Sequence, residues 1–482
     1  MNVLRAADFD LTGKVSRRVF VQGIGFVGVG LLTSLFGGCD AIIDAINNRP
    51  VRRRLRTGSP EVDADINTYR DAVAAMKALP AGDLRNWNAV AAIHGTTLGG
   101  FNFCQHGTAH FFDWHRAYLF YFEQICRKLT GNAKFGLPYW NWNQDPIVHS
   151  AFLDPASTLF MARNNTNLST LPAVGTATLD PIFGDTNFFT FWQQIEGTPH
   201  NTVHSFVGQT MGGGGSASDP LFWMHHCMVD YCWAKWNIEL GNDNTNDMTW
   251  IEQVNSHFVD ENGNAASATA GITTLMPLLS YRYESSAIGS SPAEAALMTK
   301  AEYQKVEARL RAGAKIAFDI KQRIVITEKA AVSIARPFSA TTKAAPQDFA
   351  RIINTDTAQE HIFASIAFAQ LPPTSDFYLR VFLNLPSASS TTPTTDPHYA
   401  GTFAFFGTDI PSAQHKLEPS FLVNLTNTIQ RLKGAQELRD DTPLSVQLVA
   451  VPFSGKFERP DTELVLNQIE IITTPVIIRS KQ

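Results

Sequence analysis

The segment His-Asn-Thr-Val-His, residues 200–204, limits what this chain can be more than any other stretch of it. Two imidazoles four residues apart on a helix lie one above the other on the same face, which is what a single helix can offer a metal ion. The pair has company. Nine of the thirteen histidines fall between His94 and His226, and all nine tryptophans and all five cysteines precede residue 251, so the chemistry belongs to the first half of the chain.

A third ligand for the pair is expected from Asp-Pro-Leu-Phe-Trp-Met-His-His-Cys-Met-Val-Asp, residues 219–230, where Pro220 suits a helix start. His225 and His226 compete. Asp230 lies one turn beyond His226 on the same face and is read as the carboxylate that orients its ring or a neighbouring one, while His225, rotated by roughly 100°, is read as a packed neighbour. A second set comes from residues 106–123. His106 and His115 are nine apart, which one continuous helix would place on opposite faces, so His106 is expected on a loop before the helix that carries His115. His94, at the end of a helix stopped by Gly95, is placed to complete that set. His110 and His149 are read as ordinary helix-surface and loop histidines. Two sets of three imidazoles with no thiolate suit copper better than structural zinc, which prefers four closed ligands that often include Cys. A mononuclear zinc hydrolase is the alternative on ligand type, and it leaves one set unexplained.

The rest of the chain divides by pattern. From about 52 to 283 the periodicity is helical, with long loops such as 143–187; residues 284–325 read as a connector containing a helix. From about 326 to the end, short runs such as Ile-Val-Ile-Thr, Phe-Tyr-Leu-Arg-Val-Phe-Leu-Asn-Leu and Gly-Thr-Phe-Ala-Phe-Phe-Gly alternate with Pro, Ser, Thr and Asp clusters, which predicts an antiparallel β-sandwich. At 482 residues and 44% apolar content, more than one globular part is expected. A net charge of −5 and the lack of a long Lys/Arg run give no basic field for a phosphate backbone, so nucleic acid is excluded as a partner. Residues 1–50 read as an address: the run Ser-Arg-Arg-Val-Phe-Val, Ser16 to Val21, and a glycine-interrupted apolar stretch to Phe36 resemble a Tat export signal. The ending Leu-Phe-Gly-Gly-Cys offers Cys39 as a lipidation site. Export to the periplasm or cell envelope, with a possible membrane tether through Cys39, is the resulting expectation.

With these residues in place, the chain resembles the type 3 copper family of tyrosinases, catechol oxidases and molluscan haemocyanins over about residues 52–283. The first-copper motif stands as His106 followed by Trp-His-Arg at 114–116. The second stands as Glu-Gly-Thr-Pro-His-Asn-Thr-Val-His followed by Asp219–Trp233. Tyr231 departs from it, since many members have Arg after the Asp. The resemblance implies a mainly α catalytic domain, residues 51–283, built on a four-helix bundle. That domain would hold two copper ions through His94, His106 and His115 and through His200, His204 and His226, with O2 as co-substrate. It implies a thioether from Cys104 to His106, and a Tyr281–Tyr283 pair packed on an Arg near the domain start, with Arg53 the candidate.

It also implies a C-terminal β-domain, residues 326–482, that covers the site with a placeholder side chain. The activity implied is oxidation of small phenolic substrates: ortho-hydroxylation of monophenols and oxidation of o-diphenols to o-quinones, latent until that domain is displaced. Glu196 and Asn201 are expected to hold a water that takes the phenolic proton, and Phe222 to lie near the substrate. A catechol oxidase limited to diphenols and an oxygen carrier are the alternatives.

Overall fold

The computed structural model describes residues 9–10, 14–15, 48–284, 319–408 and 418–477. Both the Tat-like run and Cys39, most of the 284–325 connector, and His415 lie outside the described residues. Among the described residues no helix is long and apolar enough to cross a membrane. Six helices carry the candidate site: α1 Pro60–Ala78, α2 Trp87–His94, α3 Phe111–Thr130, α4 Phe188–Ile195, α5 Asn201–Val207 and α6 Pro220–Ala234.

The chain divides into two compact units, one of 1–96, 102–162 and 215–316, the other of 97–101, 163–214 and 317–482. This grouping cuts across the boundary read from the sequence at 283, because the segment that carries His200 and His204 packs with the β-sandwich.

In the first unit, α3 packs against both α1 and α6. Each helix has a local reason for its ends. Asp219 accepts the Leu221 N–H at 2.8 Å ahead of Pro220 at the first position of α6, Asn86 accepts the Asn88 N–H at 3.0 Å at the start of α2, and α3 ends on left-handed Gly131. Helix α3 is buried on almost every side, including Asp113, Arg116, Glu123 and Arg127, so its charges need partners.

Arg52 provides one of them. It lies in a two-residue strand, β1 Val51–Arg52, which pairs in parallel with β2 Arg282–Tyr283. Its guanidinium reaches Glu123 at 3.2 Å and Asp230 at 2.9 Å, and lies 3.6 Å over the Tyr281 ring. Arg116 closes on the other oxygen of Asp230, and the Tyr281 and Tyr283 hydroxyls donate to that carboxylate at 2.6 Å. Arg127 adds a contact to Glu123 at 2.9 Å. The residue stacked on the tyrosine pair is therefore Arg52, not Arg53; Arg53 points to Asp65 at 2.7 Å. In an extended strand neighbouring side chains face opposite ways, so a one-residue error exchanges the buried arginine for the half-exposed one.

In the second unit, eight strands form two antiparallel sheets: β3 Gln322–Ser333, β4 Phe338–Thr341, β5 Glu360–Phe368, β6 Phe377–Leu383, β7 Tyr399–Phe403, β8 Ser420–Asn424, β9 Ser445–Pro452 and β10 Glu463–Pro475. Their orders are β4-β9-β6-β7 and β8-β5-β10-β3. Phe368, Phe377, Phe403, Phe405 and Phe421 fill the interior, while Phe363, Leu422 and Ile472 cluster on the other face of their sheet. The helical core plus antiparallel sandwich is the architecture expected. Between α4 and α5 the helix widens into a π-turn, Glu196–His200, with Pro199 inside it. Proline has no N–H to give the carbonyl four residues back, so the Asn201 N–H reaches Glu196 O, five back. Gly208, at φ 68°, ends α5; a Cβ there would meet the Asn164 side chain at 2.5 Å.

Candidate metal centre

Each histidine of the first set comes from a different local structure. His94 is the last residue of α2, His106 sits on the loop before α3, and His115 is in the second turn of α3. All three are buried. The His94 and His106 rings are 5.2 Å apart, His106 and His115 5.0 Å, and His94 and His115 5.8 Å. From α6, the His226 ring stacks on His115 at 4.4 Å, and the ligand atoms of His94, His115 and His226 lie within 4.8 Å of one another. Phe222 packs against His94 at 4.9 Å and His226 at 4.2 Å, an apolar wall between rings. The ligand atoms of His94, Cys104 and His106 likewise lie within 4.8 Å of one another.

In the second unit, the His200 and His204 rings are 4.6 Å apart on the face of α5 and its preceding turn. Their orientation follows from which oxygens they meet. His204 Nδ1 lies 2.8 Å from Met211 O, His200 Nδ1 2.8 Å from Asn201 Oδ1 and, in the first unit, His115 Nδ1 2.7 Å from Phe111 O. Carbonyl oxygens only accept, so each Nδ1 carries the proton and each Nε2 presents its lone pair. This is how metal-binding imidazoles are oriented and kept in the ligating tautomer.

The other candidates are used differently. His225 Nδ1 accepts the Trp142 indole N–H at 3.0 Å, and His110 lies 3.1 Å from Asp113 with its ring stacked on Trp250. Burial pushes the Asp113 carboxyl up, against the pull of His110 and Asn255. His149 accepts the Ala151 N–H in a loop. Cys126, Cys227 and Cys232 are buried thiols in no disulfide, and burial raises all three.

One expected role changes. Asp230 does not orient His226; its carboxylate is occupied by Arg52, Arg116, Tyr281 and Tyr283. Burial alone would push this carboxyl up, but the Arg116 and Arg52 guanidiniums and the two phenol donors outweigh it and hold it below the ordinary carboxylate range. Asn201 has further partners: its Oδ1 accepts from His200 Nδ1 at 2.8 Å and its Nδ2 donates to Ala404 O at 3.0 Å, which leaves the amide one lone pair and one N–H. Glu196 itself is buried, 6% exposed, at the head of the π-turn.

Phe406 was beyond sequence reasoning. Its ring stacks on His204 at 4.0 Å, meets His200 edge-on at 5.3 Å, and packs on Phe101 at 5.0 Å. The only sequence signal was the run Thr-Phe-Ala-Phe-Phe-Gly, 402–407, which does not say which phenylalanine faces the histidines.

Buried imidazole sets, three of whose rings direct Nδ1 protons at oxygens, on a helical core followed by an antiparallel sandwich, define a dinuclear copper protein of type 3. The donor set fits that metal pair: neutral nitrogen ligands serve both copper oxidation states. The sequence relationships agree. The common central domain of tyrosinase matches residues 84–177 and 155–239. Tyrosinase HcTyr1 of Hahella sp. (strain CCB-MM4) is 29% identical over 284 residues, 46% of this chain and 61% of that protein. The chloroplastic polyphenol oxidase of Malus domestica is 26% identical over 477 residues, 85% of this chain and 77% of that one. The match to (+)-larreatricin hydroxylase of Larrea tridentata spans 47% of that protein, so several relatives are covered only in part. The structure of latent apple tyrosinase superposes with a TM-score of 0.63 at 22% identity, over 89% of this chain and 97% of the other, a likeness of fold. Residues 84–239 carry the common central domain of tyrosinase, and the chain is similar to tyrosinases and polyphenol oxidases.

Proposed function

We propose that the chain is a copper-dependent phenol oxidase that ortho-hydroxylates monophenols and oxidises o-diphenols to o-quinones with O2. His94, His106 and His115 would hold one copper and His200, His204 and His226 the other, with Cys104 bonded to His106 as a thioether. The observation that carries this reading is the fixing of His115, His200 and His204 with Nδ1 protonated and Nε2 presented. The two coppers, when bound, supply O2 activation and electron acceptance from the phenol.

The chain's own contribution is to fix the rings, keep water out with Phe222 and Phe406, and take the phenolic proton. The base is Glu196 acting through a water, with the remaining lone pair of Asn201 available to the same water. The second reading, a catechol oxidase limited to diphenols, holds where the bonds of Asn201 to His200 and Ala404 draw it away from that water, because a monophenol must be deprotonated before it binds. Phe406 over His204 supports latency; a permanently covered site would instead suit an oxygen carrier. We further propose export through the Tat-like segment and a lipid tether at Cys39.

Copper-loaded full chain, assayed in parallel on p-cresol and 4-methylcatechol, tests the proposal. The expected result is two coppers per chain, turnover of both substrates, and a loss of about 10²-fold on p-cresol alone in Glu196→Gln. Full p-cresol activity in that variant removes Glu196 as the base, and reversible O2 binding with neither phenol oxidised makes the chain a carrier.

A further inference from the structure

Of the six histidines read as copper ligands, five are 0–2% exposed and only His106 reaches 7%. It is also the only one of the six carried by a loop. That loop, residues 102–110, begins where the Asn102 and Phe103 N–H groups donate to His94 O at 2.9 Å and Ile93 O at 3.1 Å, and it ends at His110, in the N-cap position of α3. An ion arriving from solvent therefore meets the first set by way of this loop.

Each end of the loop carries a further imidazole that faces out. At its far end, His110 Nδ1 lies 3.1 Å from Asp113 Oδ2, and Asn255 Nδ2 donates to the same oxygen at 2.6 Å. Asp113 is fully buried and fixes the His110 ring as carboxylates fix metal-binding imidazoles, with the proton on Nδ1 and the lone pair on Nε2. The His110 side chain is 21% exposed, and among the described residues no group bonds its Nε2. At the near end, the Phe103 ring lies parallel to that of His257 at 3.7 Å. His257 is exposed and sits where the hairpin of Val254–Val259 and Ala265–Thr269 loses register, with φ at 73°. A left-handed backbone at a residue other than glycine is strained, and such strain gathers at functional positions. One strand, through Asn255 and His257, thus sets both imidazoles. Phenylalanine would stack on Trp250 or Phe103 equally well, so what the two histidines add is a nitrogen donor at the surface.

A hydrated copper ion cannot carry its water shell into a buried set of ligands, and a charge buried there without ligands is strongly unfavourable. Imidazole nitrogens suit copper in both oxidation states and let the water be replaced one ligand at a time. We infer that His110 and His257 form a copper-loading port, which takes the ion at the two ends of the 102–110 loop and passes it to His106. Each transfer exchanges one ligand on copper for another, and no electron moves. The inference rests on the reading of His94, His106 and His115 as copper ligands, and it adds the route by which that copper arrives.

The test follows metal uptake, not turnover. Copper-free full-length chain is mixed with copper(II) glycinate, and arrival is read as quenching of tryptophan emission, since the Trp114 ring lies 4.8 Å from that of His115. In His110→Asn/His257→Asn, uptake is expected to slow about ten-fold or more, while metal analysis at equilibrium finds the parental copper content. Asparagine suits a helix N-cap and a left-handed backbone, so the double variant removes the imidazoles and keeps the local fold. Refolding from urea with copper present bypasses the port, and the variant is then expected to load as fully as the parent. Parental uptake rates in the double variant overturn the inference. A copper content that stays low even after refolding with the metal also overturns it, because the two histidines would then belong to the holding of the site. If the parent itself takes no copper on refolding, the copper-ligand reading fails, and the port with it.

Discussion

The two histidine sets are held in different ways. His94, His106 and His115 come from a helix end, a loop and a helix interior, and their surroundings, Phe222, His226 and the Phe111 carbonyl, all belong to the unit that contains them. His200 and His204 come from one short helical stretch; the Met211 carbonyl fixes His204, while the Asn201 amide on His200 is bonded to the strap of residues 404–407 that follows β7 and the Phe406 ring on both is part of it. A movement of the strap therefore alters the second set and spares the first. The first set is fixed by the helical core; the His200–His204 pair is fixed in part by the strap.

The firmest break of this contrast is made on the core side. Arg52 neutralises two buried carboxylates, Glu123 and Asp230, with fully buried side-chain contacts. Arg52→Met keeps the length of the side chain but strands both charges, and removing one partner of a buried pair typically costs about 3–5 kcal/mol. The urea midpoint of unfolding should fall accordingly, with copper lost from the first set before unfolding is complete. A loss below about 1 kcal/mol would mean that the network does not hold that unit together.

Asn201→Ala acts on the other side. It removes the acceptor of the His200 Nδ1 proton and the donor to Ala404 together, and loss of such an orienting partner lowers metal affinity about 10–100-fold. The expected titration has one copper weakened and one unchanged. Equal weakening of both would erase the contrast between the sets.

Phe406→Ala should have a smaller effect and one of opposite sign: catechol turnover is expected to rise roughly ten-fold as the covered state loses its ring, with first-copper affinity unmoved. Unchanged turnover would leave the strap without a covering role.

How far the sequence could anticipate this follows the same contrast. Periodicity and spacing placed His94 on a helix end, His106 on a loop and the 200–204 pair on one helical face, because side-chain direction in regular structure is set by local geometry. The alternating runs after 326 gave the sandwich for the same reason. What escaped depends on partners distant in the chain or on main-chain atoms. The Phe111 and Met211 carbonyls that fix His115 and His204 are present at every residue, so no residue type announces them. Arg52 could not be told from Arg53 without knowing which face of a two-residue strand is buried. Asp230 satisfied the spacing for an orienting carboxylate, yet four partners up to 178 residues away claim it. Phe406 is one of three phenylalanines in five residues, and only the strap's path selects it.

The smallest effect concerns the titration of Asp230, which sharpens the core side without removing any ligand. Its carboxyl is held below the ordinary range by Arg116, Arg52 and two tyrosine hydroxyls, against the cost of burial. A carboxyl whose folded pKa is depressed contributes stability that is fully present above its unfolded pKa, near 3.9, and is lost as pH falls through the lower folded value. Asp230 therefore adds no pH dependence between roughly pH 5 and 8 and begins to cost stability below about pH 4. Asp230→Asn should be less stable than the parent throughout the neutral range, with the gap narrowing as the pH is lowered from about 5 to 3. Urea melts of both chains at fixed ionic strength measure that gap. If it keeps a constant width to pH 3, the carboxylate is not the group whose charge Arg52 and Arg116 stabilise, and the core-held set rests on Glu123 instead.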